Sequence, residues 1–443
     1  MVKSKVLKKV VCASAFAVLG VCIMLGFAGC NKKPEKDAKW AGTTIAVGSD
    51  VHIGAAPERI EYFRSAFDTF YAMDPALDAV VFNGDVVDNG FDEEYKQYSD
   101  IVNEKKKEWT TYVATMGNHE WYRGGWGVDI IANGFTKEYQ KAFVDGTGQP
   151  IQSDTVVNGI HIIAVAPDNE MDYYHSREVF IKRSVRAAAK EDPNKPIFLV
   201  VHKPVAYTVI NSWDDATGGT TEYAPDWTDS FMEFLAQYPQ IVYISGHTHD
   251  SVSEPLSIYQ ENFTSVNDGC IGNGDGLFIH VSNENVVTIH RLNTLDGSEL
   301  GEPWVIDIPK VIESKDNFTY DKKRYDASAT LTFPDPTFVL NEQGTDSVTI
   351  TLPRATGEDE IGCGYALEYL VQILDKSTNT YVPVSPDYPG TRFGFFTKKG
   401  EINLDKQFTG LTPGTDYTLE LFAVNALYKP SETITFDFST LAE

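Results

Sequence analysis

Short apolar runs alternate with helical patterns over the first two thirds of the chain. The runs have the length of β-strands and are rich in β-branched residues, and the segment after the first run repeats apolar residues at helical spacing, at Ile60, Phe63 and Phe67. Strands that alternate with helices build an α/β layered core. We therefore predict an α/β domain over residues 42–312. Its clearest predicted strands are Thr44–Gly48, Ala79–Phe82, Tyr112–Met116, His161–Ala166, Ile197–Val201 and Ile241–Ile244.

Residues 327–443 have a different pattern, with alternating strands, turn signals and no helical periodicity. A charged stretch over residues 313–326 precedes them and is predicted to be a linker. Leu411, Pro413 and Tyr417 resemble the corner before a late strand of fibronectin type III domains, where the tyrosine hydroxyl is tied back to the backbone. The resemblance implies an all-β immunoglobulin-like or fibronectin III-like sandwich, and no residue specifies its partner.

The N-terminus is typical of an exported protein. Four lysines within the first nine residues precede an uncharged, mostly apolar stretch, Val10–Gly29, and Cys30 follows small residues. This arrangement resembles a bacterial lipoprotein signal, whose cysteine is lipidated and becomes the mature N-terminus. The resemblance implies a signal peptide over residues 1–29, a tether over residues 30–41, and an envelope lipoprotein on the periplasmic or extracellular side of the membrane. An uncleaved signal anchor is the alternative, and it also places the body outside the cytoplasm.

The excess of acidic over basic residues limits the kinds of partner that the protein can bind. Acidic residues outnumber basic residues 63 to 37, which gives a formal net charge of −26. Affinity for nucleic acid depends on lysine and arginine side chains that neutralise phosphates, so this surface argues against a protein that tracks DNA or RNA. A small anionic substrate remains compatible with the composition if bound metal ions dominate the local field.

Five of the predicted strands are followed by aspartate, asparagine or histidine. Because sites in α/β sheets assemble at the carboxyl ends of strands, we expect these side chains to converge. Hard oxygen and imidazole ligands without a thiolate suit Mn, Fe or Zn, so the sequence predicts a divalent metal site. The motifs are Asp50-Val51-His52, Gly84-Asp85-Val86-Val87-Asp88, Gly117-Asn118-His119-Glu120, His202 and Gly246-His247-Thr248-His249.

This order of motifs resembles the calcineurin-like metallophosphoesterase superfamily over about residues 44–295. The resemblance implies a four-layer αββα sandwich, a phosphoester substrate and two divalent metal ions (Mn, Fe or Zn). It also implies the two ligand sets, which share Asp85 as a bridge. One metal would be bound by Asp50, His52, Asp85 and His249, and the other by Asp85, Asn118, His202 and His247.

Phosphoester cleavage needs a nucleophile at neutral pH and a place for charge on the nonbridging oxygens. Two metals about 3.5–4 Å apart supply both, because they lower the pKa of a bridging water and clamp the phosphate. The leaving alkoxide then needs a proton, and His119, beside Asn118 but not itself a ligand, is the general-acid candidate. Asp88 matches the position that pairs with this histidine in related phosphatases, where it would orient the ring and raise its pKa.

Three residues outside the motifs are candidates for contact with substrate. His175 lies in a loop-like segment, and Tyr207 and Trp213 belong to a run between two ligand-bearing strands. This run either rims the pocket or is an ordinary surface loop. The other histidines in the α/β domain lie in alternating strand patterns and are predicted to be structural; they are His161, His280 and His290.

Positions next to the motifs distinguish related phosphoesterases. Purple acid phosphatases have tyrosine where this chain has Asp88, and Ser/Thr protein phosphatases have arginine at the positions of Asn89 and Met116. A diester carries one negative charge fewer than a monoester, so the lack of these arginines slightly favours phosphodiesters. The alternative function is a surface lipoprotein whose metal site is structural or weakly active and whose β-sandwich binds a glycan or a protein. A nuclease of the same superfamily is disfavoured by the acidic charge.

Overall fold

A computed structural model describes residues 32–124, 136–168, 174–206, 208–212, 229–385, 390–396 and 403–442 of the chain. Cys30, Tyr207 and Trp213 lie outside the described residues, so the predictions for them stay predictions. His175 is described only in its backbone, as the first residue of a helix rather than part of a loop. Among the described helices, none is both long enough and apolar enough to cross a membrane.

The first part of the chain contains both strands and helices. In chain order, the strands are β1 (Thr43–Gly48), β2 (Ala79–Asn83), β3 (Thr111–Thr115), β4 (Gln152–Val157), β5 (Ile160–Val165), β6 (Ile197–Val201), β7 (Ile241–Ser245), β8 (Ile258–Gln260), β9 (Thr264–Asn267), β10 (Asp275–Val281), β11 (Val286–Asn293) and β12 (Trp304–Asp307). The helices are α1 (Glu58–Met73), α2 (Asp92–Lys105), α3 (Thr136–Thr147), α4 (His175–Glu191), α5 (Asp229–Leu235), α6 (Ile308–Glu313) and α7 (Tyr320–Ala327).

These strands form two mixed sheets within the described residues. The first has the order β12-β11-β10-β1-β2-β3, with β1, β2 and β3 parallel to one another. The second has the order β4-β5-β6-β7-β9-β8, with β5, β6, β7 and β9 parallel. Parallel strands end at the same edge of a sheet, so each sheet presents the residues after its parallel strands at one side of the molecule.

Alternation of side chains along the strands divides the core into layers. In β1, Ile45 and Val47 point into the core between the two sheets, where they pack with Val200 of β6. Ala46 of β1 faces the opposite way, into a core with the apolar stripe of α1 that includes Phe63. The outer face of the second sheet packs in the same way against α4 and α5. The predicted αββα layering is therefore confirmed.

The last part of the chain is strand-rich, as predicted. Its strands are β13 (Val339–Gln343), β14 (Ser347–Thr351), β15 (Ala366–Asp375), β16 (Thr380–Val382), β17 (Arg392–Phe396), β18 (Asp405–Thr409), β19 (Asp416–Asn425) and β20 (Ile434–Ser439). One antiparallel sheet has the order β13-β14-β18, and the other has the order β16-β15-β19-β20 with β17 also paired to β15. A core that includes Ile350, Val371 and Leu419 lies between the two sheets.

The segment before these strands contains a helix, α7, that sequence reasoning missed. Its residues show no apolar stripe, so helical periodicity cannot identify it. Arg324 holds it in place, because its guanidinium donates to the carbonyl of Ile258 at 2.7 Å and also contacts the carbonyl of Pro255. This helix therefore depends on contacts with the α/β region.

The predicted tether is docked on the α/β region wherever it is described. Trp40 is buried, and its Nε1 donates to the carbonyl of Met73 at 2.8 Å. Its ring packs edge-on against His280 and His290 at centroid distances of 5.5 and 5.4 Å. Lys36 forms an ion pair with Asp78 ahead of β2. Residues 32–41 therefore lie against the surface of the α/β region.

Tyr417 in β19 makes the predicted tie to the backbone. Its side chain is buried, and its hydroxyl accepts from the N–H of Thr412 at 2.8 Å. We expect Tyr417→Phe to lower the free energy of opening of this region by about 0.5–1.5 kcal/mol, because the part-buried N–H of Thr412 loses its acceptor. Hydrogen exchange of peptides from residues 403–442 measures this loss. Tyr381→Phe, which removes an exposed hydroxyl bonded to Glu420, is the matched control and should change little; equal effects would contradict the prediction.

Candidate metal centre

The residues after five strands meet at one end of the two-sheet sandwich. The loops after β1, β2 and β3 approach from the first sheet, and those after β6 and β7 approach from the second. The predicted ligands on these loops are, in chain order, Asp50, His52, Asp85, Asn118, His202, His247 and His249. Most of them are buried, while His249 has a side chain that is 41% exposed. The site is therefore a cleft with a buried floor and an exposed rim.

The backbone of this site is held in an uncommon conformation. Within the described residues, five of the predicted ligands have positive φ angles between 49° and 70°, namely Asp50, His52, Asp85, His247 and His249. Each such residue costs on the order of 1–3 kcal/mol and persists only where its surroundings enforce it. Here the loops brace each other, since the N–H of His52 donates to the carbonyl of Asp85 at 3.0 Å. Strain gathered at one place supports a functional role for these side chains.

The first group of ligand atoms comes from Asp50, His52, Asp85 and His249. One atom from each lies within 4.8 Å of the others. The Nε2 atoms of His52 and His249 are 3.1 Å apart, and Nε2 of His249 is 2.9 Å from Oδ1 of Asp50. Two imidazole nitrogens and two carboxylates that converge in this way could hold one divalent cation.

The second group is formed by Asp85, His202 and His247. Nε2 of His202 lies 3.1 Å from Oδ2 of Asp85, while Nδ1 is engaged by the carbonyl of Asn83 at 2.7 Å. This second contact fixes the ring so that Nε2 faces the group, as in many metal sites. Asp85 belongs to both groups and lies between them.

Asn118, the remaining predicted ligand of the second metal, has its amide nitrogen engaged and its oxygen unpaired. Its Nδ2 donates to the hydroxyl of Tyr122 at 2.7 Å, which turns Oδ1 away from that hydroxyl. In the described part of the chain, Oδ1 of Asn118 is buried without a hydrogen-bond partner, and Nε2 of His202 is buried with the Asp85 carboxylate as its neighbour. Buried polar atoms are almost always satisfied, so an unpaired atom needs an explanation. A bound cation would be a partner for both atoms, and the residues present therefore fit a metal site.

Backbone amides fix the two carboxylates. Oδ2 of Asp50 accepts from the N–H of His247 at 3.0 Å, and Oδ1 of Asp85 accepts from the N–H of His119 at 2.8 Å. The other oxygen of each carboxylate is left to face the ligand groups. Glycines permit this close approach: a Cβ on Gly117 would lie 2.2 Å from Oδ1 of Asp85, and one on Gly246 would lie 2.6 Å from Oδ2 of Asp50.

His119 and Asp88 form a third group together with His52. Nδ1 of His119 donates to the carbonyl of Asp88 at 2.8 Å and lies 3.4 Å from Oδ1 of Asp88. Nε2 is thereby directed toward the centre of the site, 4.0 Å from Oδ2 of Asp85. Oδ1 of Asp88 is also 3.3 Å from Nδ1 of His52. The predicted pairing of His119 with Asp88 is present, and Asp88 additionally orients a predicted ligand.

The charges of the site shift one another's pKa values in the absence of cations. Burial opposes a charge on His202, but the Asp85 and Asp50 carboxylates outweigh it and raise the pKa of His202 to about 10. Burial would likewise raise the pKa of Asp85, yet the positive charge of His202 holds it far below its usual value. Burial also lowers the pKa of His119, but the Asp85 charge and the Asp88 hydrogen bond raise it above its usual value. Cations therefore compete with protons for the ligands.

Glu120 is a supporting residue to which sequence reasoning assigned no role, although it lies within the Gly117-Asn118-His119-Glu120 motif. Its buried carboxylate accepts from the N–H groups of Asp85 at 3.1 Å, Val87 at 3.1 Å and Gly117 at 2.5 Å. One side chain thus joins the loop after β2 to the loop after β3. Burial, with the nearby Asp85 charge, raises the pKa of Glu120 to about 7.

We expect Glu120→Gln to weaken Mn²⁺ affinity by about 10- to 100-fold, as for other residues that support metal ligands. The amide retains only one acceptor oxygen for three N–H groups, so the two ligand loops lose their fixed spacing. Calorimetric titration with Mn²⁺ measures the change. Glu94→Gln is the matched control, because Glu94 is also buried and accepts from backbone N–H groups, at the start of α2. Equal losses of affinity in the two variants would contradict the prediction.

Asp268 and Ser49 were also missed, because they meet only in the fold. The Ser49 hydroxyl lies 2.6 Å from Oδ1 of Asp268 and also contacts Asp50. Burial raises the pKa of Asp268 well above its usual value. These residues lie 219 positions apart, so no local sequence pattern could reveal their contact with the site.

Asn83, at the end of β2, connects the two sheets beneath the site. Its Nδ2 donates to the carbonyl of Ile244 in β7 at 3.0 Å and to Oδ2 of Asp268 at 3.1 Å. Its own carbonyl is the group that orients His202. Asn83 therefore fixes the position of His202, on the second sheet, relative to the candidate ligands on the first sheet.

Comparisons with known proteins find a family match in this part of the chain. Residues 43–251 match the family model for calcineurin-like phosphoesterases. Among solved structures, a purple acid phosphatase from yellow lupin (Lupinus luteus) seeds is similar at 12% identity over 60% of this chain and 53% of that chain, with a TM-score of 0.45. The chain thus spans about half the length of that phosphatase. No curated protein matches the chain.

Two further structures show more distant likeness. The GAP50 anchor in the inner membrane complex of Plasmodium is 12% identical over 60% of this chain and 88% of that chain, with a TM-score of 0.35. A computationally redesigned β-sandwich protein is 14% identical over 24% of this chain and 88% of that chain, with a TM-score of 0.18. Residues 43–251, which match the family model for calcineurin-like phosphoesterases, contain clustered Asp and His side chains that could hold metal ions.

Proposed function

We propose that the protein is a phosphoester hydrolase that uses two divalent cations (Mn, Fe or Zn), with His119 as the general acid. The observation that carries this proposal is the position of Asp85, which belongs to both ligand groups and lies beside His119. A site for a single structural cation would need neither a shared carboxylate nor a histidine held with one nitrogen toward the centre.

Two bound cations would supply a nucleophile from water at neutral pH and would neutralise charge on the phosphate oxygens. The chain holds the ligands in fixed orientations through Asn83, Glu120 and the backbone amides described above. Nδ1 of His119 donates to the carbonyl of Asp88, so the ring has a second proton at Nε2 for the leaving oxygen only as the imidazolium. Burial opposes the protonated form of His119, but the Asp85 charge and the Asp88 hydrogen bond raise its pKa and favour that form.

Phosphodiesters are the favoured substrate class. The residues at the positions of the arginines in Ser/Thr phosphatases serve structural purposes here, since Met116 is buried in the core under α1 and Asn89 donates to Asp88 at 3.0 Å. A diester has less charge to neutralise and depends less on such arginines. His175, Tyr207 and Trp213 are the candidate substrate contacts in this proposal.

The proposed setting is the cell envelope. The lipoprotein-type signal places a lipid anchor at Cys30, and the protein then acts on the periplasmic or extracellular side. The strand-rich region over residues 327–443 acts as a fibronectin III-like domain that binds an envelope partner. Support comes from the sequence pattern at Cys30 and from the Tyr417 corner.

The first experiment compares hydrolysis of bis-p-nitrophenyl phosphate and p-nitrophenyl phosphate by residues 31–443 loaded with Mn, Zn or Fe. We expect turnover that EDTA abolishes and Mn restores, with the diester hydrolysed faster. Comparable rates on the two esters would remove the support for a diester preference. Bound metal without turnover of either ester would instead favour the lipoprotein that binds a partner through its β-sandwich.

A further inference from the structure

A polar pocket of about 510 Å³ lies at the end of the sandwich opposite the metal centre. The residues that line it come from the segment before β1 and from strand ends and loops at this end of the sheets, including Thr43 at the start of β1 and Val281 at the end of β10. The metal centre begins after Gly48, at the other end of β1. A six-residue strand is about 20 Å long, so the pocket and the metal centre are separate sites.

The charged side chains of this pocket are three lysines and one aspartate, Lys33, Lys36, Lys195 and Asp78. Lys36 is fully engaged, since its ammonium donates to the carbonyl of Gly42 at 3.1 Å, to Thr44 Oγ1 at 3.0 Å and to Asp78. An ammonium has three N–H donors, so all of them are used. The charges of Lys36 and Asp78 offset each other.

Lys33 and Lys195 keep donors for a ligand. Lys33 Nζ lies 2.5 Å from Oδ1 of Asp78, and its side chain is 39% exposed. Lys195 Nζ donates to the carbonyl of Asn158 at 3.2 Å, across the turn at Gly159. Each lysine uses one of its three donors within the described residues. Lys36 Nζ also lies 3.6 Å from Oδ2 of Asp74, so the three lysines face two carboxylates and the pocket keeps one net positive charge in a protein whose formal net charge is −26.

We propose that this pocket binds the phosphate of an anionic phospholipid headgroup. The charge argument selects an anion, and the position of the pocket selects the membrane as its source. Lys33 lies three positions after Cys30, which is at most about 11 Å of chain. With the lipid anchor proposed above, the pocket faces the bilayer and the metal centre faces away from it.

The test uses residues 31–443, which contain every sheet and core described above and no lipid anchor. Sedimentation with phosphatidylcholine vesicles is compared with sedimentation with vesicles of equal parts phosphatidylcholine and phosphatidylglycerol, in EDTA so that metals at the catalytic site do not hold lipid phosphate. We expect stronger binding to the anionic vesicles. Lys33→Gln/Lys195→Gln should weaken that binding about 25-fold, because each lysine near an anionic surface contributes roughly fivefold.

The matched control is Lys96→Gln/Lys141→Gln, which removes the same charge from exposed helix surfaces. It should bind the anionic vesicles as the unchanged protein does, and both double variants should keep full phosphoesterase activity. Equal losses in the two double variants, or equal binding of the unchanged protein to both kinds of vesicle, would overturn the proposal. In a last experiment the protein is titrated with glycerol 3-phosphate, a soluble anion. If the pocket bound this anion but the protein showed no preference for anionic vesicles, the proposal that its ligand is a membrane lipid would be overturned.

Discussion

Asp85→Asn is expected to reduce kcat/KM for the diester substrate roughly 10³-fold, since loss of several kcal/mol of charge stabilisation corresponds to that factor. Asp85 is the residue common to both ligand groups, and its Oδ2 lies 3.1 Å from His202 and 4.0 Å from His52. An amide at this position replaces a shared negative charge with a neutral group and places N–H donors where a cation would bind. The side chain keeps its shape, so the fold should remain.

The measurement is steady-state kinetics in saturating Mn²⁺, together with the number of Mn ions bound per chain. We expect the variant to bind fewer ions as well as to lose activity. Asp275→Asn is the matched control, because Asp275 is also buried and accepts from a backbone N–H, that of Val252, but belongs to none of the ligand groups. If Asp85→Asn kept more than a tenth of the activity, the shared carboxylate would not be the centre of the catalytic site.

His119→Asn is expected to lower kcat by about 10²- to 10⁴-fold on a substrate with an alkyl leaving group, the usual contribution of a general acid. The loss should be much smaller on p-nitrophenyl esters, because p-nitrophenolate leaves without needing a proton. This difference distinguishes a proton-donating role of His119 from a metal-binding role, because loss of a metal ligand would slow hydrolysis of both substrates. Mn stoichiometry should stay unchanged.

The structure supports this distinction between proton donation and ligation. His119 holds Asp88 through Nδ1, and its backbone N–H, which the variant retains, fixes Asp85. His290→Asn is the matched control, because His290 pairs with Glu299 away from the site. Equal losses on alkyl and p-nitrophenyl esters would show that His119 positions the other groups and does not donate the proton.

Sequence patterns predicted the layers and the ligand loops because both are local properties of the chain. β6 was predicted as Ile197–Val201 and has those bounds, since a short β-branched run in the interior of a sheet can form little else. The candidate ligands could be predicted because each lies within a few residues of the end of such a strand. Their convergence required only that parallel strands end at one edge.

The features that sequence patterns did not predict depend on contacts between distant residues. Asp268 reaches Ser49 only because β9 lies beside β7 in the second sheet, above the end of β1. α7 has no apolar stripe and is held by Arg324, and Trp40 is a single apolar residue within a polar segment. Periodicity detects repeated patterns along the chain, so isolated residues with tertiary roles escape it.

The candidate ligands are divided between two sheets, and this division links the proposed catalytic site to the interior of the protein. Asp50, Asp85 and Asn118 belong to the first sheet, whereas His202 and His247 belong to the second. Side chains such as Val47 and Val200, which never approach a substrate, fill the space between those sheets. The thickness of this apolar layer sets the distance between the candidate ligands of the first sheet and those of the second. Substitutions that change the size of these apolar side chains should therefore change the turnover rate, although they lie far from any reacting atom.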